Sequence, residues 1–508
     1  MHRRPASFLY LFAAVLWLGA PATTLADSPR GQRPNIIFIL TDDQGYGDLS
    51  AHGHPILQTP NLDRLHDEGV RFSDFHVSPT CSPTRSALLT GRHEFLNGVT
   101  HTILERERLT PKAITLPEAL RRGGYHTGIF GKWHLGDERQ YQPDRRGFDE
   151  VFIHGAGGIG QTYPCSCGDA PGNSYFDPVI LHNGRFVRTQ GYCTDVFFDQ
   201  AIRWIGSVKG RKPFFAYIAC NAPHAPLQVR PEDEARYTGK ASPAVAKFLG
   251  MVANIDDNVG RLLRQLGDWG IEEDTLVIFM NDNGTDGGAP IYNAGMRGKK
   301  GTAYLGGTRA ASLWRWSGTL KPAECSALAA HIDFLPTLIE IAGLRTSPAL
   351  RRQIEGQSLV PLLENPTAPW PERTLFTHLG RWPKGASPET CKYRAAAVRT
   401  TRWHLVSANG GTSPRWELFD VESDPGERTD VASIHPEVRT HLSDQFENWW
   451  RSIQPALVNE NAVGPRVNPF KERYWRQFGG GPSDEDLRQM DPAKNPATVG
   501  NQVPLRKR

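Results

Sequence analysis

Apolar runs of strand length alternate with longer amphipathic segments from about residue 33 to residue 365. Residues 35–40 (NIIFIL), 126–130, 214–219 and 275–280 are nearly continuous apolar stretches, the pattern of strands buried on both faces of a parallel sheet. Helical periodicity occupies 192–205 and 244–266. A further helix opens at Thr59-Pro60, a cap followed by a first-turn proline, and closes at Gly69. This alternation predicts an α/β fold whose large mixed, mostly parallel sheet carries helices on both faces, over residues 33–370.

Beyond residue 370 the pattern changes. Residues 396–405 and 416–421 alternate as short strands do, and 435–450 is helix-like, which predicts a small C-terminal α+β subdomain with an antiparallel sheet over 371–455. Residues 456–508 are rich in Pro, Gly, Asn and charge and read as an extended tail. At the other end, His2, Arg3 and Arg4 precede an apolar stretch at 8–18 and small residues up to Ala26. That order is the mark of a secretory signal peptide, residues 1–26, and predicts a periplasmic or secreted protein with no membrane span after cleavage. No other segment has 18 consecutive apolar residues.

Composition removes some classes. With 39% hydrophobic and 22% charged residues the chain is not of the disordered type, and a net charge of +4 makes no overall case for nucleic acid. Seven cysteines (Cys81, Cys165, Cys167, Cys193, Cys220, Cys325 and Cys391) leave at least one unpaired within the chain. If Cys81 serves other chemistry, the remaining six are free to pair or to stay as buried thiols.

Polar clusters follow the predicted strands, where ligands bind in open α/β sheets. They are Asp42-Asp43, Lys132-Trp133-His134, His224 and Asp282-Asn283. Residues 81–92, CSPTRSALLTGR, read as a turn entering a helix: Ser82 can cap, Pro83 suits the first helical position and Gly91 can end it. Cys81 then stands at a helix N-terminus, which favours anions.

All twelve of these residues together resemble the C-x-P-S/T-R-x-x-x-L-T-G-R/K signature of type I, formylglycine-dependent sulfatases, an arylsulfatase-like family within the alkaline-phosphatase-like superfamily. The resemblance extends over most of 33–455 and implies that family's fold. It implies that formylglycine-generating machinery oxidises Cys81 to formylglycine, guided by Pro83 and Arg85. One hydroxyl of the hydrated aldehyde attacks sulfur, giving a formylglycine-sulfate intermediate; the other expels sulfate. It further implies Ca²⁺ held by Asp42, Asp43, Asp282, Asn283 and the converted Cys81; such hard oxygen donors suit Ca²⁺ better than Mg²⁺. By the same carry-over, Arg85, Lys132 and Lys300 neutralise the sulfate, Asp282 helps deprotonate the attacking hydroxyl, and His134 assists elimination. His224 and Lys300 serve the leaving oxygen. Lys299 beside Lys300, Leu305 in place of a usual glutamate, and Asn281 in place of a commoner serine or threonine depart from the family pattern.

Two motifs are set aside. GAGGIG at 155–160 fits a dinucleotide fingerprint, but the proline and cysteines after it cannot open a long helix, so it reads as a loop near the substrate mouth. Asp256-Asp257 and His331/Asp333 lie in helical patterns and read as caps or packing. The competing functions are a phosphoester or phosphonate hydrolase of the same superfamily, which generally uses Thr or Ser where Cys81 stands, and an inactive protein that binds sulfated glycans. For substrate, the loops at 154–193 and 378–384 are the expected walls. Tyr163, Arg381, Trp382 and Lys384 are candidates to hold a sugar ring and neighbouring sulfates. The expected substrate is a sulfated glycan or small molecule, carbohydrate sulfates foremost.

Overall fold

A computed structural model describes residues 28–163, 167–484 and 487; the expected signal peptide and Cys165 lie outside them. The main sheet has ten strands: β1 (Asn35–Thr41), β2 (Val70–Phe72), β3 (His126–Lys132), β4 (Glu150–His154), β5 (Val179–His182), β6 (Arg185–Arg188), β7 (Phe214–Ala219), β8 (Thr275–Asn281), β9 (Ser312–Arg315) and β10 (Ala323–Cys325). Their order is β10-β2-β9-β8-β1-β7-β3-β4-β5-β6. The five central strands, β8-β1-β7-β3-β4, are parallel, and β9, β5 and β6 run antiparallel to their neighbours.

Strand β1 shows why the apolar runs are continuous. Ile36, Phe38 and Leu40 enter one core, while Ile37 and Ile39 enter another on the opposite face. Helix α1 (Pro60–Glu68) covers the second core, and α2 (Cys81–Thr90) covers the first. Helices α3 (Cys193–Val208) and α4 (Pro243–Asp268) lie on the second face, and α5 (Phe334–Ile341) on the first. Asp256 caps α1 from α4: its carboxylate accepts the amides of Asn61 (3.0 Å) and Leu62 (2.7 Å).

A four-stranded antiparallel sheet follows, β11 (Leu375–His378), β12 (Ala396–Arg399), β13 (Trp403–Ser407) and β14 (Glu417–Asp420), backed by α6 (Pro436–Ile453). The single run expected at 396–405 is a hairpin, broken at Thr400–Arg402. The segment beyond 456 differs from the expected tail. Helix α7 (Pro469–Phe478) forms there, and Phe470 is buried against Phe186 of the main core. Its Gln477 side chain bonds both backbone groups of Phe186, so α7 closes the β6 edge of the sheet. Among the described residues, the six cysteines are all free, and no helix is long and apolar enough to cross a membrane.

Candidate active site

Four parallel strands end on one level. Thr41 pairs with Asn281, while Leu40 and Gly131 both pair with Ala219. Asn281 stitches these ends together, donating to Thr41 Oγ1 (3.0 Å) and accepting from Ala311 N (3.0 Å). The residues just beyond therefore converge at the carboxyl edge of the sheet, where helix α2 also points its N-terminus.

Helix α2 begins at Cys81 itself. Thr80 is the cap position, without a side-chain cap hydrogen bond, so the expected capping by Ser82 does not occur. Gly91, at φ +69°, closes the helix as expected, its amide bonding Ala87 O. Cys81 is 2% exposed, and its Sγ donates to Asp42 Oδ1 at 3.1 Å. Burial, reinforced by the Asp42 charge, pushes the thiol up to about 12. An unmodified cysteine here is a poor nucleophile at neutral pH.

Three buried carboxylates surround it, each with one cation. Asp42 pairs with Lys132, Asp43 with Lys300 (2.6 Å) and Asp282 with Arg85 (2.9 Å). Lys299 does not enter: half exposed, it pairs with Asp286 instead. Atoms of Asp42, Asp43, Cys81 and His224 lie within 4.8 Å of one another. Asp282 Oδ1 accepts the Asp43 amide (3.3 Å) and the Asn283 side chain. Burial, then the neighbouring Asp42, pushes Asp282 up to about 7. Asp43 Oδ1 and Asn283 Oδ1 are buried without a partner. Unpaired buried oxygens beside crowded carboxylates fit a hard cation. A cation held there would take over these carboxylates from Lys132, Lys300 and Arg85.

The two histidines are held in defined tautomers by carbonyls. His134, at φ +59°, bonds Thr102 O through Nε2 (2.7 Å), and its buried Nδ1 has no partner. Because a carbonyl only accepts, Nε2 carries the proton and Nδ1 is the free base. His224 donates from Nδ1 to Ala225 O (2.6 Å) and places Nε2 3.7 Å from Asp43.

The GAGGIG loop, set aside as a nucleotide motif, passes between these rings. A Cβ on Gly157 would sit 2.6 Å from the His134 ring, and one on Gly158 2.8 Å from His224 Nδ1. The loop binds its own chain: Asp169 accepts the amides of Gly155 (3.1 Å) and Gly160 (2.8 Å). No sequence signal tied Asp169 to this loop. Asp137, three residues past His134, takes the Gly168 amide (2.8 Å) and the Asn468 side chain (2.6 Å), tethering the start of α7 to the loop that carries His134.

Of the expected substrate contacts, Tyr163 donates to Gln161 (3.3 Å) and Lys384 pairs with Glu105 (3.3 Å). Arg381, half-buried, donates to Thr102 Oγ1 (2.9 Å), the residue whose carbonyl holds His134. Trp382 is a correction: it is 1% exposed in the core of the second sheet, bonded to Glu460 and covered by the Arg106 guanidinium. An indole whose N–H finds a buried acceptor is more stable inside than as a platform in water. At Leu305, where the expected glutamate is missing, the buried Glu427 of the second subdomain accepts the backbone amide (2.7 Å).

Comparison with known proteins gives these features relatives. The Sulfatase family model matches residues 34–344, and that of N-sulphoglucosamine sulphohydrolase, C-terminal, matches 300–451. The chain is 32% identical to arylsulfatase A of Homo sapiens over 476 residues, covering 83% of this chain and 89% of that one. It is 34% identical to N-acetylgalactosamine-6-sulfatase of Homo sapiens over 358 residues, 65% and 66% of the two chains. The crystal structure of Ps i-CgsB in complex with k-i-k-neocarrahexaose superposes with a TM-score of 0.74 at 27% identity, covering 89% of this chain and 99% of that one.

Proposed function

Because the chain belongs to the sulfatase family, whose members are sulfuric ester hydrolases, we propose that the residues around Cys81 perform that hydrolysis on carbohydrate sulfates, after Cys81 has been converted to formylglycine. The observation that carries the reading is the buried ring of Asp42, Asp43, Asp282 and Asn283 against Cys81, with unpartnered oxygens on Asp43 and Asn283. These four residues would hold Ca²⁺, which supplies charge to polarise the sulfate and to acidify a hydroxyl at position 81. The aldehyde hydrate supplies the attacking hydroxyl and a second one through which sulfate is released.

The chain's own groups divide the remaining work. Arg85, Lys132 and Lys300 neutralise the sulfate oxygens. His134 Nδ1, left as a lone pair by the Thr102 carbonyl, takes a proton during elimination. His224, with Lys300, serves the leaving oxygen from the opposite side of the Gly157–Gly158 backbone.

The carbohydrate class draws support from an N-acetylgalactosamine-6-sulfatase at 34% identity and from the k-i-k-neocarrahexaose named with the similar structure. The basic-apolar-small order of residues 1–26 supports export to the periplasm or beyond, where Cys81 meets or has already met the modifying machinery.

The test is mass spectrometry of the peptide containing residue 81 from the native host, together with a sulfate-release assay. Aldehyde at 81 in active enzyme is the expected result, and Cys81→Ser should lose multiple turnover. Fully active material with an intact thiol rejects the mechanism; modified protein that releases no sulfate even in a single turnover makes it a binding protein.

A further inference from the structure

Several arginines packed inside this protein have carboxylate partners. Arg85 pairs with Asp282 (2.9 Å), Arg106 with Glu460 (3.4 Å), Arg373 with Asp333 (2.6 Å) and Arg399 with Asp74 (2.9 Å). Arg381, half-buried, has none. Its Nη2 donates to Thr102 Oγ1 (2.9 Å), its Nε is buried without a partner, and among the described residues it makes no ion pair. The same Thr102 holds the His134 ring through its carbonyl (2.7 Å), so a single residue separates the guanidinium from that imidazole. A half-buried guanidinium without a counter-charge carries a desolvation cost that an arriving anion would offset.

The backbone is built to hold it there. Arg381 is left-handed at φ +54°, and its amide bonds Thr100 O (3.0 Å). A Cβ on Gly380 would come within 2.0 Å of the same carbonyl, so only glycine fits before it. His378 accepts the Gly380 amide (2.8 Å), and the following Trp382 is sunk in the core, its carbonyl bonded by Arg106 (2.7 Å). Left-handed non-glycine residues persist where surrounding contacts over-determine them, and they concentrate at ligand sites.

We infer that Arg381 is a specificity residue that binds a second oxyanion of the substrate, a sulfate ester or a carboxylate close to the ester being cleaved, with Trp382 as its buried anchor. Tyr163, bonded to Gln161, packs against the cluster that holds Ile103 and Leu104, the residues that follow Thr102. The enzyme is thereby matched to polyanionic saccharides over singly sulfated ones. The inference rests on the proposed sulfatase reading and deepens its substrate class.

Matched disaccharides carrying one sulfate, two sulfates, or one sulfate beside a uronic acid test it, with 4-nitrophenyl sulfate as reference. In the wild type, kcat/KM relative to the reference is expected to rise on adding the second anion. Arg381→Gln should cut that ratio roughly 10- to 100-fold, chiefly through KM, and Arg381→Lys should retain part of it. Whether the uronate or the second sulfate shows the larger loss identifies the natural anion. A wild-type ratio indifferent to the second anion, or a ratio unchanged in Arg381→Gln, overturns the inference. Wild-type enzyme that hydrolyses none of these compounds, the reference included, instead sinks the sulfatase reading and takes this subsite with it.

Discussion

Gly157 lies so close to His134 that a Cβ on it would stand 2.6 Å from the imidazole Cε1. The ring cannot retreat freely, because its Nε2 is bonded to the Thr102 carbonyl. Gly157→Ala should therefore displace the free Nδ1 while leaving the core intact. The expected result is a loss of kcat of about tenfold or more, from misplacement alone, with an unchanged circular dichroism spectrum. A variant with wild-type kcat would show that His134 does not need its observed position.

Calcium should stabilise the fold as well as the reaction. Asp42, Asp43 and Asp282 crowd into one buried site, and burial with the Asp42 charge already pushes Asp282 upward. A cation bound only by the folded state at a hundred times its Kd adds about 2.7 kcal/mol. Tm is expected to fall in chelator and recover with Ca²⁺, and Asp43→Asn should lose most of that difference. Equal Tm in calcium and chelator, with no metal detected in the purified protein, would remove the site.

The anchor of the Arg381 turn should be sensitive to acid. Burial lowers His378 to about 4, and its two ring nitrogens are committed to a neutral form: Nε2 donates to the Cys391 and Lys392 carbonyls, and Nδ1 accepts from Gly380. An unfolded histidine titrates near 6.5. As the pH falls from 6.5 to 4, the unfolded chain takes up a proton that the folded one refuses, so stability declines, by about 3 kcal/mol in all from this residue. Unfolding free energies at pH 7.5 and 4.5 should differ less in His378→Gln than in the wild type. Parallel pH dependences would show that the residue is protonated without penalty.

The helix at 469–478 is integral to the fold. Phe470 is 2% exposed and packs edge-on against Phe186 at 4.9 Å between ring centres. Phe470→Ala should cost about 3–5 kcal/mol, read as a shift in denaturant midpoint. Asn468 of the same segment holds Asp137 next to the His134 loop, so kcat should fall in parallel. A change below about 1 kcal/mol would return the segment to a dispensable tail.

The amino-acid sequence by itself determined the parallel sheet and the level at which the site forms. Strands such as 35–41 and 275–281 are apolar on both faces, and burial on both faces is a local property that any five consecutive residues display. Since such strands end where polarity begins, Asp42-Asp43 and Asp282-Asn283 announce their shared edge without a partner in view. Cys81 was legible for a similar reason: its helix start is written in its immediate neighbours.

Only the tertiary structure decided what distant segments do to one another. Arg381 reaches Thr102, Asn468 reaches Asp137, and Trp382 finds Glu460. In sequence, Trp382 and Arg381 are two neighbouring residues of a polar loop; the fold sends one into the core and sets the other against Thr102. The helix at 469–478 looked like tail because its apolar face is short and gains its stability only by covering Phe186. Periodicity records which face of a segment avoids water. It holds no information about which remote surface will provide the cover, because that depends on contacts hundreds of residues apart that close only when the chain has folded.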